Sequence, residues 1–296
     1  MILKRKLLSV LIAIGMVSTL LMGCSKTEQQ KTDTTTEVVQ DTEKDATADN
    51  ATAKTPEDDT SAKDEQEPVS ILIAAAASME NSMKEIIARF EEQNPNITVE
   101  GTYDSSGKLQ TQIEEGMEAD IFLSAATKQM NALKEENLVD SDSIVELLEN
   151  KVVLVVPTGS NTNVTSFKDV QNAETIALGD PESVPAGQYA KEIFESLGIY
   201  EDVARKASFG TNVTEILNWV AEGSADAGVV YATDAASTDK VSVIAEAPEG
   251  TLAQKVIYPL GLVSASENKD AAKLFIEFLQ SEEATSILEG YGFTTR

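Results

Sequence analysis

The sequence predicts an α/β protein with two lobes, in which mostly parallel sheets are flanked by helices and a ligand cleft lies between the lobes. Three observations support this class. Residues 69–77 and 151–156 are apolar almost without interruption, as strands buried on both faces of a parallel sheet require. Apolar residues at helical spacing follow several strands, as in 79–90. Strands and helices then alternate to the end of the chain, which is the pattern of α/β folds.

The predicted elements divide the chain into segments. Strands are predicted at 69–77, 97–103, 120–124, 151–156, 175–178, 204–209, 228–231, 241–245 and 256–263. Helices are predicted at 79–90, around 109–117, and at 186–197, 211–220, 269–279 and 282–289. We expect 68–150 and 255–296 to form lobe 1 and 151–254 to form lobe 2. Hinge motion is expected at the two crossovers, near 150–152 and 255–259.

Residues 1–24 have the features of a secretory signal. A basic start precedes a short apolar segment that ends in the tetrapeptide Leu-Met-Gly-Cys at 21–24. That tetrapeptide resembles the lipoprotein box of bacteria, in which the cysteine is lipidated, so Cys24 is the predicted lipidation site. A buried thiol and an ordinary cleaved signal are the alternatives. We therefore expect an extracytoplasmic protein held at the cell membrane by a lipid such as palmitate.

Residues 25–67 are acidic and polar, with five Lys, thirteen Asp or Glu and no aromatic residue. Such a segment buries too little apolar surface to offset the entropy lost on ordering, so it is predicted to be a disordered tether. A partner-binding tail is the alternative.

The composition excludes several functions. The formal net charge of −27 argues against nucleic acid as a partner. The chain has no histidine, which removes the commonest general base and metal ligand. No Walker, Rossmann or Gly-x-Ser-x-Gly pattern is present, and no pair of carboxylates stands out as acid and base. We therefore expect no enzymatic activity, no cofactor and no cation ligands.

Four strand-to-helix junctions have similar chemistry. They are Ala77-Ser78, Ser105-Ser106, Pro185-Ala186 and Asn212-Val213. Each places hydroxyl groups or free N–H groups at a helix start, where the helix dipole favours an anion. Taken singly, Ser78, Ser106 and Asn212 are better explained as plain helix N-caps.

Together these junctions predict one site. If the lobes face each other, the four helix starts meet in one cleft, and Tyr231 adds a phenol at a strand end; taken alone, it reads as a half-buried strand tyrosine. Such a site has only hydrogen-bond donors. It suits a fully deprotonated tetrahedral dianion, because a ligand O–H would find no acceptor there.

From about residue 70 onwards the chain resembles the molybdate-binding proteins of bacterial ABC importers, which have a type II periplasmic-binding fold. The matching segments are 75–78 with Asn81, 105–113, 119–124, 179–187, 228–231 and 291–294. The Gly-Asp-Pro-Glu-Ser-Val-Pro-Ala-Gly run at 179–187 is the most specific of them. The resemblance implies a receptor that captures molybdate or tungstate and delivers it to an ABC permease. We also expect a monomer that is attached to the membrane through a lipid anchor on Cys24.

The resemblance implies a role for five residues. Ser78 and Ser106 would each donate from a hydroxyl and a backbone N–H, Ala186 and Val213 from backbone N–H groups, and Tyr231 from its hydroxyl. Asp104 and the pair Gly107-Lys108 depart from the family pattern. A carboxylate near a dianion weakens binding unless it is turned outward or paired, and Lys108 is a candidate partner for Asp104. The alternatives are a receptor of the same fold for sulfate or phosphate, and a surface lipoprotein that acts through protein contacts.

Overall fold

The computed structural model describes residues 67–296. The predicted signal, Cys24 and all but the last residue of the predicted tether lie outside the described residues. The described part has two sheets flanked by helices, so the predicted α/β class is confirmed. Within residues 67–296 no helix is both long enough and apolar enough to cross a bilayer.

The regular elements have the following bounds. The strands are β1 (Val69–Ala76), β2 (Ile97–Asp104), β3 (Ile121–Leu123), β4 (Val145–Asn150), β5 (Val152–Pro157), β6 (Ile176–Gly179), β7 (Ala207–Gly210), β8 (Ala227–Tyr231), β9 (Val241–Glu246), β10 (Val256–Leu262) and β11 (Thr294–Thr295). The α-helices are α1 (Glu80–Gln93), α2 (Ser106–Glu114), α3 (Thr127–Glu135), α4 (Pro185–Ser196), α5 (Tyr200–Ala204), α6 (Val213–Ala221), α7 (Ala232–Ala236), α8 (Lys269–Leu279) and α9 (Glu282–Gly290). Short 3₁₀ helices span Ala77–Met79, Ser141–Ser143 and Phe167–Asn172.

The strands form two separate sheets. One has six strands in the order β11-β4-β10-β3-β1-β2, and the other has five in the order β7-β6-β8-β5-β9. Only Lys151 lies between β4 of the first sheet and β5 of the second. The chain returns to the first sheet at β10. These two connections lie close to the positions where hinges were predicted.

The pairing of strands is mixed. Four strand pairs among the described residues are parallel and five are antiparallel, so the expected predominance of parallel pairs does not hold. The strands linked by helices, such as β1 and β2, are parallel. The strands at the crossovers, β4, β5 and β10, run antiparallel to their neighbours. The chain passes from β4 to β5 and from β9 to β10 without an intervening helix.

Close packing fixes the start of α4 against the end of β6. A Cβ atom on Gly187 would lie 2.1 Å from the carbonyl oxygen of Gly179, a separation that only glycine permits. Pro185 occupies the first turn of the helix, where its missing N–H costs no hydrogen bond. The sequence Gly-Asp-Pro-Glu-Ser-Val-Pro-Ala-Gly therefore places the free N–H groups of a helix start at the carboxyl edge of the second sheet.

Candidate functional site

All five predicted ligand residues line one small cavity. It lies where the carboxyl ends of β1 and β2 in the first sheet face the starts of α4 and α6 beside the second. Its lining includes Ser78, Ser106, Ala186, Val213 and Tyr231. The cavity volume is about 10 Å³, close to the least that admits one water molecule. Elements of both sheets thus enclose a space that suits only a compact guest.

The serine side chains at these junctions have different partners from those predicted. Ser105, not Ser106, caps α2, since its Oγ accepts from the Lys108 N–H at 3.4 Å. Ser78 lies inside the 3₁₀ turn Ala77–Met79 and makes no capping bond. The N-cap interpretation is therefore wrong for Ser78 and Ser106. It is right for Asn212, whose Oδ1 accepts from the Glu215 N–H at 3.0 Å.

The Ser106 hydroxyl can donate its proton into the cavity. The side chain is fully buried, and its Oγ accepts from the Ala125 N–H at 2.9 Å. An oxygen that accepts in this way keeps its own proton free to donate. Ser78 is held similarly, with its Oγ 2.9 Å from the hydroxyl of Tyr258.

Ala186 and Val213 contribute backbone groups. Ala186 is the second residue of α4 and Val213 the first residue of α6. Backbone N–H groups in the first turn of a helix have no carbonyl partner within that helix. Both residues line the cavity, so these N–H groups are within reach of a guest there.

Tyr231 is fully buried, not half-buried as the sequence suggested. Its hydroxyl makes no hydrogen bond of good geometry among the described residues, although the Tyr258 hydroxyl is near enough to interact with it. Burial, followed by the nearby phenol of Tyr258, raises the pKa of Tyr231 well above its usual value, so the group stays a donor. A buried hydroxyl without a partner costs about 1–3 kcal/mol. A guest that accepts from it would recover that cost. Tyr189, 6.5 Å away between ring centroids, has a second unpartnered hydroxyl.

Asp104 lines the cavity but its charge is already engaged. Its carboxylate forms an ion pair with Lys108 at 3.2 Å and accepts from the Ser105 N–H at 2.7 Å. The Asn212 side-chain amide adds a 3.4 Å contact from the opposite side of the cavity. All three donors reach Oδ1 of this carboxylate, and Oδ2 receives only Lys108 at 3.3 Å.

Direct contacts close the two sides of the cavity on each other. The Gly107 N–H donates to the Ser183 carbonyl at 3.0 Å, which joins the start of α2 to the segment before α4. Gln129 donates to Gln188 at 3.2 Å. A Cβ on Gly107 would lie 2.3 Å from the Ser183 carbonyl oxygen, so the contact depends on glycine.

A buried carboxyl lies next to the site. Asp234 accepts from the Tyr231 N–H at 3.1 Å. Burial raises the pKa of Asp234 from 3.8 to about 7. Because the folded pKa exceeds the unfolded one, the folded state keeps a proton that the unfolded state loses above about pH 4. Stability from this group is therefore lost as the pH rises toward 7.

We expect Asp234→Asn to stabilise the protein, and to do so more at high pH. The asparagine oxygen still accepts from Tyr231, and the cost of ionising a buried acid disappears. The gain in free energy of unfolding should be about 2–3 kcal/mol larger at pH 8 than at pH 5. Urea unfolding of both proteins at the two pH values measures it. Equal gains at both values would contradict the role assigned to Asp234.

The site lacks the groups needed for other chemistry. Within residues 67–296 no three His, Cys, Asp or Glu side chains come together as a metal site. The cavity offers hydroxyls and amides as hydrogen-bond donors, and its one carboxylate is already paired. Two α/β layers that enclose a donor-lined cavity define a solute-binding protein.

Comparison with known proteins gives the family. A model described as bacterial extracellular solute-binding protein matches residues 71–294, and the chain belongs to this family. The fold is that of type II periplasmic binding proteins, as predicted, and members of this kind bind solutes for ABC transporters and are not enzymes.

Three relatives show how close the similarity is. YvgL of Bacillus subtilis, named as a candidate ABC transporter substrate-binding lipoprotein, is 42% identical over 234 residues, covering 79% of this chain and 90% of YvgL. The molybdate-binding protein ModA of Haemophilus influenzae is 34% identical over 235 residues, covering 76% and 90%. A solved substrate-binding domain of a candidate molybdenum ABC transporter from Clostridium difficile is 38% identical with a TM-score of 0.60, covering 77% and 99%. The predicted resemblance to molybdate-binding proteins is confirmed.

Proposed function

We propose that this protein captures molybdate or tungstate in the cavity between its sheets and delivers it to an ABC permease. The observation that carries the proposal is the meeting of Ser78, Ser106, Ala186, Val213 and Tyr231 around one cavity. All five offer donors, and none of them carries a charge.

The hydrogen-bonding character of the cavity favours an anion without protons. Molybdate and tungstate are tetrahedral dianions whose four oxygens all accept. Hydrogen phosphate has an O–H that needs an acceptor, and the oxygens of Asp104 already receive hydrogen bonds from Ser105, Lys108 and Asn212. An unmet ligand O–H costs about 1–3 kcal/mol. A tetrahedral oxyanion needs more room than the cavity has here, so its binding should widen the cavity slightly.

The net charge does not prevent anion binding. Backbone N–H groups and hydroxyls act at contact distance, whereas the field of the acidic surface is screened beyond about 8 Å in physiological salt. The overall charge of −27 should slow the arrival of a dianion without abolishing its affinity.

The names of the relatives support the ligand and the location. ModA of Haemophilus influenzae is a molybdate-binding protein, and YvgL is named as a lipoprotein. We therefore propose that Cys24 carries a lipid and that 25–67 tethers the lobes to the outer side of the membrane. We also propose lobes of 68–150 with 255–296 and of 151–254, supported by the membership of the two sheets. Mass spectrometry of the mature N-terminus tests the lipid.

Titration calorimetry of the purified protein should give dissociation constants at micromolar level or below for molybdate and tungstate. Phosphate should bind at least about tenfold more weakly, since its O–H would lack an acceptor at a cost of about 1–3 kcal/mol. Sulfate has the same four acceptors as molybdate, so the expectation that it binds more weakly is supported by the names of the relatives alone. Preferential binding of sulfate would reassign the cavity to another oxyanion. No binding of any of the four would leave a protein that works through protein contacts.

A further inference from the structure

We propose that Asn150 and Tyr258 are positioning residues that orient the Ser78 hydroxyl as a donor into the cavity. This inference rests on the proposed function, since it concerns how the same site recognises an oxyanion. Asn150 is 108 residues from Tyr258 in the chain, and Tyr258 is 180 residues from Ser78. The three side chains form one hydrogen-bonded series of fixed direction.

Asn150 sets which group donates in each hydrogen bond of the series. Its side chain is buried at the end of β4, and its Oδ1 accepts from the Lys151 N–H at 2.8 Å. This contact fixes which end of the amide is oxygen. The Nδ2 group, which only donates, lies 2.9 Å from Thr233 Oγ1 and 3.3 Å from the Tyr258 hydroxyl.

Tyr258 connects Asn150 to Ser78. Its hydroxyl accepts from Asn150, so its own proton is directed to Ser78 Oγ at 2.9 Å. The side chain has no exposed surface. Its ring packs edge-on against the rings of Tyr231 and Phe293, with 5.6 Å between ring centroids in each pair, and this packing holds it in place. Burial raises the pKa of Tyr258 well above its usual value, which keeps the phenol protonated and able to donate.

Ser78 completes the series. Its oxygen accepts from Tyr258, so its own proton is left to point into the cavity that it lines. In series of this kind each bond polarises the next and strengthens it. Ser106 reaches the same polarity through the Ala125 N–H. Both serines therefore present protons, and neither presents a lone pair to a ligand O–H.

A double-mutant cycle tests whether Tyr258 acts through Ser78. Tyr258→Phe removes the hydroxyl and keeps the ring. We expect it to weaken molybdate binding about 3- to 30-fold by calorimetry, and to change affinity less than about twofold when Ser78 is already alanine. A merely structural effect of Tyr258→Phe would give the same loss in both backgrounds, and that result would overturn the proposal.

Reversing the series gives an independent test that does not require Tyr258→Phe to fold. Asn150→Asp keeps the acceptor for Lys151 but turns the other end of the group into an acceptor. Tyr258 then donates to the new carboxylate, Ser78 donates to Tyr258, and a lone pair faces the cavity. At about pH 8 molybdate and hydrogen phosphate are both dianions, so the added charge weakens both alike. The ratio of phosphate affinity to molybdate affinity should rise about tenfold or more.

The outcomes separate this inference from the proposed function. If the wild-type protein binds molybdate but Asn150→Asp leaves the ratio of phosphate affinity to molybdate affinity unchanged, the proposed series of donors is wrong and the proposed function stands. Wild-type protein that binds sulfate but not molybdate overturns the proposed ligand alone. The cycle is then run with sulfate, which also only accepts. Wild-type protein that binds neither anion overturns both.

Discussion

Gly107→Ala is expected to lower the affinity for molybdate by about 100-fold or more, because it prevents the two sides of the cavity from closing. An alanine Cβ would lie 2.3 Å from the carbonyl oxygen and 2.7 Å from the Cα of Ser183, which are backbone atoms that cannot turn aside. The sides would have to part by about 1 Å before this contact is tolerable. A guest held by Ser78 and Ser106 would then lose Ala186, Val213 and Tyr231 together.

The stability of the unliganded protein separates this effect from damage to the fold. Gly107 lies in α2 without a positive φ, so alanine suits the helix itself, and any fall in the unliganded melting temperature measures the cost of the contact with Ser183 rather than of the helix. Gly290→Ala is the matched control, because a Cβ at the end of α9 meets nothing within 4 Å. Wild-type affinity in Gly107→Ala would show that binding does not require this closed contact.

Ser106→Ala is expected to cost about 2–4 kcal/mol of binding free energy, or roughly 30- to 1000-fold in affinity. The hydroxyl should donate to the guest while its oxygen satisfies the Ala125 N–H at 2.9 Å. Removing it takes away a bond to a charged ligand and leaves a buried N–H without its partner. Calorimetry with molybdate measures the loss.

The neighbouring serine provides the control for Ser106→Ala. Ser105 also lines the cavity, but its oxygen caps α2. Ser105→Ala should lower stability by about 0.5–2 kcal/mol, as for other N-caps, and change affinity less than about threefold. Equal effects of the two substitutions on affinity would contradict the distinct roles assigned to the two serines.

The sequence predicted what depends on local pattern. Uninterrupted apolar runs located β1 and β5, and Pro185 with Gly187 located the start of α4. Resemblance to molybdate-binding proteins, rather than periodicity, singled out Ala186 and Val213 among many helix starts. The sequence also predicted that these residues meet in one cleft, and in the structure they line one cavity.

What the sequence missed depends on distant parts of the chain. β4 reads Val-Glu-Leu-Leu-Glu-Asn, which alternates too little to mark a strand, and it is a strand because β10 and β11 pair with it. The antiparallel crossover strands follow from the path between the sheets. No local signal distinguishes Ser105 as the cap from Ser106 as the donor. Nor does any signal connect Tyr258 to Ser78.

The paired carboxylate of Asp104 has a consequence for unloading. It is bonded to Lys108 on its own side of the cavity and to Asn212 on the other, so it helps to hold the two sides together. Separation of the two sides breaks the Asn212 contact. Water can then reach the amides and hydroxyls that line the cavity and hydrate them. Among the described residues that line the cavity there is no cation to hold the departing oxyanion. Under the proposed function, a permease that pulls the two sides of the cavity apart releases the oxyanion in the same movement, because little attraction then holds the oxyanion to either side.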